Sequence, residues 1–158
     1  MIVKICGITS IEDAIMSAEA GADMIGLNFY KAGVRYIEPT QAKVIANELR
    51  KLPNCPTLVG VFVNETAETM KTILDECHLD LAQLCGIETD ETLQAMGERG
   101  FKVIRNLQSP ISNLKRLNPP EYLLDATVKG AYGGTGQTAD WAEAATVAGK
   151  YRILLAGG

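Results

Sequence analysis

The amino-acid sequence predicts an α/β fold and, within that class, a (β/α) barrel. Three observations carry the prediction: strands and helices alternate strictly, the strands are apolar on nearly every residue, and polar groups recur at their C-terminal ends. Strands that are apolar throughout are buried on both faces, as in a parallel sheet covered by helices. An open doubly wound sheet also fits this pattern, but it concentrates its ligand groups at one switch point. A barrel gathers them from all round its rim, and the short, even repeat of strand plus helix favours it too.

Seven apolar runs read as strands, over 2–6, 24–28, 57–63, 81–84, 102–106, 122–125 and 152–156. Between them the period changes to that of a helix. Ile11, Ala14, Ile15 and Ala18 recur at i, i+3, i+4 and i+7, behind Ser10 as N-cap with Asp13 at the capping-box position. The same spacing joins Ala42, Ile45, Ala46 and Leu49, entered through Pro39 near the first helical position. It returns in Met70, Ile73, Leu74 and Cys77, and in Trp141, Ala144, Ala145 and Ala148. A shorter helix is expected over 91–99 and a poor one over 109–117. Gly21 and Gly100 stand just past helix ends, where a left-handed cap wants glycine. No Pro- or Ser-rich linker interrupts the alternation, so 1–158 reads as one domain.

Composition narrows the function. The 158 residues are 47% hydrophobic and 22% charged with a formal net charge of −4, which gives no general affinity for nucleic acid or an anionic membrane. No apolar run approaches the roughly 20 residues of a membrane helix. The N-terminus has no charged-then-apolar signal pattern, and the expected location is the cytoplasm. Cys6, Cys55, Cys77 and Cys85 lack framework spacing and read as free thiols in a reducing compartment. A zinc site built from Cys77, His78 and Cys85 lacks a paired C-x-x-C and a clear fourth ligand, so no metal is expected.

The two-residue period of a strand identifies the rim. Lys4 and Cys6 share one face, as do Gly26 and Asn28, Gln83 and Cys85, and Leu123 and Asp125. If those faces point inward, Cys6, Asn28, Cys85, Arg105 or its neighbour Asn106, and Asp125 ring one mouth. A thiol and a carboxylate on two strand ends are the makings of a base and an acid. Singly, each residue has a plainer reading. A buried cysteine is a small core hydrophobe, Asp125 caps a turn or pairs with Lys4, and Arg35 is a loop charge. The glycine run 133–136 is a loop, Trp141 packs between helix and barrel, and His78 is a solvent-facing charge at a helix end.

Six segments in order across the chain resemble the phosphoribosylanthranilate isomerase family, TIM-barrel enzymes of tryptophan biosynthesis. They are Lys4-Ile5-Cys6-Gly7-Ile8-Thr9, Val59-Gly60-Val61-Phe62-Val63-Asn64, Gln83-Leu84-Cys85-Gly86, Leu124-Asp125, Gly133-Gly134-Thr135-Gly136 and Leu155-Ala156-Gly157-Gly158. The resemblance implies an Amadori rearrangement of N-(5-phosphoribosyl)anthranilate to the 1-deoxyribulose phosphate, without metal or cofactor. It assigns the general acid to Asp125 and the general base to Cys6, and Lys4 on the same strand face is a nearby cation favouring thiolate. It further implies that Arg35 holds the anthranilate carboxylate. Gln83 and Cys85 would line the substrate, Gly157 and Gly158 would begin a phosphate cradle, and Gly134 would lie in a loop that closes over the site. The expected partner is a small phosphorylated substrate, with a homodimer or a completing chain as further partners.

Two departures stand out. Cys85 occupies the position where the family motif usually reads Gln-Leu-His-Gly, which removes an imidazole's donor and acceptor. It leaves an isomerase of a related phosphosugar amine open as an alternative. The chain also stops at Gly158, at the end of the seventh strand, whereas such a barrel needs about 200 residues or more and eight strands. The expectation is a barrel without its closing helix–strand–helix unit, its first and seventh strands left with unpaired edges. An incomplete coding sequence, a fragment completed by another chain, and a degenerate protein that no longer catalyses stay open, and a non-enzyme alternative is a barrel fragment acting in interaction or assembly. The first is preferred because nothing before Gly158 looks decayed.

Overall fold

The structure, a computed structural model, describes residues 1–105, 120–125 and 141–156, the Glu143 side chain excepted. Seven strands are present among these residues: β1 (Lys4–Cys6), β2 (Met24–Asn28), β3 (Thr57–Phe62), β4 (Leu81–Leu84), β5 (Gly100–Ile104), β6 (Tyr122–Leu124) and β7 (Ile153–Leu155). The helices between them are α1 (Ile11–Glu19), α2 (Pro39–Leu49), α3 (Ala67–Glu76), α4 (Asp90–Met96) with a 3₁₀ turn at Gly97–Arg99, and α5 (Trp141–Ala148). The helix expected over 109–117 lies outside the described residues.

All six strand pairings are parallel, and the spatial order is the chain order from β1 to β7. A doubly wound sheet reverses its strand order at a switch point; this one never does. Unreversed order keeps every crossover helix on one side and leaves the other side of the sheet to form an interior of its own, as a barrel requires.

Burial divides along that line. On the outer side Ile25, Leu27, Leu58, Phe62, Ala82 and Leu84 pack with Ala14 of α1, Ala42, Ile45, Ala46 and Leu49 of α2, and Met70 and Leu74 of α3. On the inner side Met24, Val59, Val61, Cys85, Phe101, Val103, Leu123 and Leu154 form a separate cluster, with Cys6 packed against it. The two sets alternate residue by residue along each strand, the period that backbone pleating imposes. Register carries the alternation sideways: Lys4 pairs with Met24, Cys6 with Gly26, and Gly26 with Val59.

The caps follow local chemistry. Ser10 accepts from Asp13 N, Thr66 from Thr69 N and Thr89 from Thr92 N, each side-chain oxygen satisfying an orphan donor in the first turn. Pro39 opens α2, where its missing N–H costs nothing. Gly21 takes φ +92 after α1, as its position predicted. The expectation for Gly100 does not hold. Gly97 supplies the positive φ of +58 after α4, while Gly100 is extended and already begins β5. A methyl on Gly100 would lie 2.6 Å from Met96 Cβ, so close packing of strand against helix is its role. Trp141 departs as well. It is the first residue of α5 and 67% exposed rather than packed between helix and barrel; Ala144 and Val147 make that contact with Ile104, Tyr122 and Leu124. His78 ends α3 in a left-handed conformation (φ 56), its Nδ1 2.9 Å from Asn47 Oδ1.

Candidate active site at the strand C-termini

The inward positions at the C-terminal end of the sheet are Cys6 after Lys4, Asn28 after Gly26, Cys85 after Gln83, Arg105 after Val103, and Asp125 after Leu123. Each is two residues beyond another inward position, so pleating alone turns all five toward one mouth. Asp125 also continues the ladder, its N–H donating to Ile104 O at 3.0 Å.

Cys6 ends β1 and Gly7 turns the chain with φ +82. Absence of a side chain on Gly7 has a second use: a methyl there would meet Arg35 Cδ, Nε and Cζ at 2.6 to 2.8 Å. The Arg35 guanidinium therefore lies against the bare backbone, and its Nη1 donates to the Cys6 carbonyl at 2.7 Å. A residue 29 positions along the chain is thereby fixed beside the thiol. Fixed in plane, a guanidinium matches a carboxylate with two parallel hydrogen bonds.

Opposite, Gln83 and Cys85 are both buried. Gln83 Nε2 donates to Cys85 Sγ at 3.1 Å, while Gln83 Oε1 has no partner among the described residues. Burial pushes the Cys85 thiol up to about 12, against the Gln83 hydrogen bond and the Lys4 charge, which draw it down. Cys85 is therefore a neutral thiol at physiological pH, and it cannot serve as a base there. Cys77 stands apart from this mouth: it lies in the outer layer and donates to Pro39 O at 3.3 Å.

The rim loops are tied together by a carboxylate that sequence reasoning missed. Glu88 is 6% exposed, and its Oε1 accepts from Asn64 N at 2.7 Å and Gly86 N at 3.0 Å. Asn64, held at φ 57, returns the link through Oδ1 to Ile87 N at 2.8 Å. Lys102 Nζ donates to the Glu88 carbonyl, and Arg105 Nη2 donates to Cys85 O at 2.5 Å. Ends of β3, β4 and β5 are thus locked to one another. Nothing local in the sequence marks Glu88, because its partners come from another loop and from a backbone bare of Cβ. Gly134, Gly157 and Gly158, with the whole run 133–136, lie outside the described residues.

Residues 3–158 match the family model for N-(5'-phosphoribosyl)anthranilate (PRA) isomerase. The chain belongs to the PRA isomerase family. It is 42% identical to the PRA isomerase of Geotalea daltonii over 158 residues, which span 99% of this chain and 74% of that protein. A crystal structure of the phosphoribosyl anthranilate isomerase from Thermotoga maritima superimposes with a TM-score of 0.79 at 34% identity, covering 100% of this chain and 78% of that one. Another PRA isomerase structure, in complex with reduced 1-(o-carboxyphenylamino)-1-deoxyribulose 5-phosphate, matches with a TM-score of 0.75 at 32% identity, covering 100% and 76%. Family membership and strand order agree on a TIM-type barrel, and the mouth described above is the end at which such barrels carry their chemistry. No helix among the described residues of this PRA isomerase family member is long and apolar enough to cross a membrane.

Proposed function

We propose that this chain converts N-(5'-phosphoribosyl)anthranilate to 1-(2-carboxyphenylamino)-1-deoxyribulose 5-phosphate, with Cys6 as general base and Asp125 as general acid. The observation that carries the reading is Arg35 seated on Gly7 and bonded to the Cys6 carbonyl, which puts a guanidinium next to a thiol at the barrel mouth.

The chemistry needs one proton delivered and one removed. Asp125, protonated, gives its proton to the furanose ring oxygen as the C1–O bond breaks, and the nitrogen lone pair forms a Schiff base at C1. Cys6 thiolate then takes the C2 proton, and the electrons of that C–H bond move to neutralise the iminium as an enolamine. Tautomerisation of the enolamine gives the ketone. Arg35 pairs with the anthranilate carboxylate and so holds C2 at the thiol. Gln83 Oε1, buried and unpartnered among the described residues, accepts from a substrate hydroxyl. The family resemblance assigns the phosphate to Gly157 and Gly158 and a covering loop to Gly134, all three outside the described residues. Neutral Cys85 supports the choice of Cys6 over the second thiol as base.

The test is product formation by purified protein and by Cys6→Ser and Asp125→Asn. Each substitution removes one proton-transfer group, and kcat should fall by about 10²–10⁴-fold with the circular dichroism spectrum unchanged. Full turnover in either variant rejects the assigned roles.

A further inference from the structure

Lys4 stands two residues before Cys6 on the inward face of β1, half-buried, and makes no ion pair with a carboxylate among the described residues. An ammonium turned into a barrel interior is costly without a counter-charge, so its position calls for an anion close by. The neighbouring strand shows which group lies beside the ammonium. Cys6 pairs with Gly26, and a methyl on Gly26 would lie 2.7 Å from Cys6 Sγ and 3.0 Å from Lys4 Nζ. The thiol and the ammonium therefore share the space that a side chain at Gly26 would fill. They lie within about 6 Å of one another, the range over which one charge favours ionisation of the other.

We propose that Lys4 is a positioning residue that acts through Cys6, holding it as the thiolate for proton abstraction, and that Gly26 is the gap that admits both groups. The inference rests on Cys6 being the base. Among the described residues, the other charged or titratable groups at this mouth are Arg35, Cys85, Arg105 and Asp125. Arg35 engages the Cys6 carbonyl with Nη1, Cys85 lies across the inner cluster on β4, and Asp125 shares the inward rim at the end of β6. Cys85 also feels the Lys4 charge, but its burial keeps it neutral. Cys6 is half-exposed and packs at the edge of the same cluster, so it is the thiol of the two that solvent and an alkylating reagent reach.

The experiment is the pH dependence of Cys6 alkylation by iodoacetamide, followed peptide by peptide by mass spectrometry so that the other three thiols do not enter. It needs no substrate. In Lys4→Met the rate at neutral pH should fall about tenfold, as the fraction of Cys6 present as thiolate drops, and the profile should move toward higher pH. Lys4→Arg, which restores a cation, should recover most of the rate. Gly26→Ala, whose methyl overlaps the thiol, should slow alkylation with Lys4 still present. An unchanged profile in Lys4→Met, or an arginine variant as slow as the methionine one, overturns the proposal. Turnover separates the two readings. If the wild-type protein forms no product while alkylation still depends on Lys4, the assigned reaction fails and the Lys4–Cys6 pairing stands.

Discussion

At the N-terminal ends of the strands, Asp23 Oδ2, Asp80 Oδ2 and Glu121 Oε2 each accept a backbone N–H from the start of the adjacent strand, from Val3, Leu58 and Arg152 at 2.7 to 2.9 Å. At the C-terminal ends, Gln83 Oε1 and Glu88 Oε2 are buried with no partner among the described residues. The foot is closed further by guanidinium groups. Arg50 Nη2 reaches Asp80 Oδ1 at 2.7 Å and His78 O at 2.8 Å, and Arg99 bridges Asp75 and the Leu79 carbonyl. At the foot both strand register and side-chain polar atoms are satisfied by these pairs, whereas at the mouth Glu88 also ties down backbone donors but one oxygen each of Gln83 and Glu88 stays open. An unsatisfied buried acceptor costs about 1–3 kcal/mol, a cost that stability alone does not explain.

The largest effect should come where the mouth is packed most tightly. A methyl on Gly86 would lie 2.1 Å from Asn64 Oδ1 and 2.7 Å from Asn64 N. Neither atom can withdraw, because Oδ1 is bonded to Ile87 N and N to Glu88. Gly86→Ala should therefore lower stability by about 3 kcal/mol or more, read as a fall in the urea midpoint. A loss under about 1 kcal/mol would show that the rim loops are looser than the hydrogen bonds imply.

At the foot the expected effect is smaller and purely structural. Asp80→Ala leaves Leu58 N without its acceptor and removes one of the partners of Arg50, and should cost about 1–3 kcal/mol with kcat and KM unchanged. The ion pair itself contributes little, since both side chains are more than a third exposed. A changed kcat would break the division between the two ends. Gln83→Met tests the other half. It removes a buried open acceptor at similar volume, so thermal denaturation should show equal or slightly greater stability, by up to about 1 kcal/mol, while turnover falls. Lower stability together with unaltered turnover would mean that Gln83 is only a packing residue.

The division also explains which parts of the molecule were legible beforehand. Inward positions at Cys6, Gly26, Asn28, Gln83, Cys85 and Asp125 followed from a two-residue period that covalent geometry imposes, and the inner cluster bears that period out. Helices with a clear stripe, such as 39–49, appeared where their spacing put them. Contacts between segments distant in sequence were not legible. Glu88 reads as one more surface acid until Asn64 arrives from the β3 loop, and the seat of Arg35 on Gly7 joins two loops that no local pattern connects. Gly100 was expected to end α4, but Gly97 takes the positive φ and Gly100 packs as strand against Met96, a contact the sequence does not show.

The smallest effect concerns Cys85 and is a matter of pH. Its folded-state thiol titrates near 12, above the ordinary value of 9.0, chiefly because burial penalises the thiolate. Below the unfolded value both states hold the proton, and the contribution of neutral Cys85 is fully present. As pH rises from about 9 toward 12, the unfolded chain releases that proton while the folded chain keeps it. Unfolding is then favoured by up to about 1.4 kcal/mol per pH unit. The useful quantity is the difference in slope between wild type and Cys85→Ala, which cancels every other group. The substitution leaves a small void and lowers stability at neutral pH, but its alkaline decline should be shallower, and the two curves should converge as pH rises. Parallel curves from neutral pH to about pH 11 would place the Cys85 thiol in contact with solvent, and would reopen the choice between the two cysteines at the mouth.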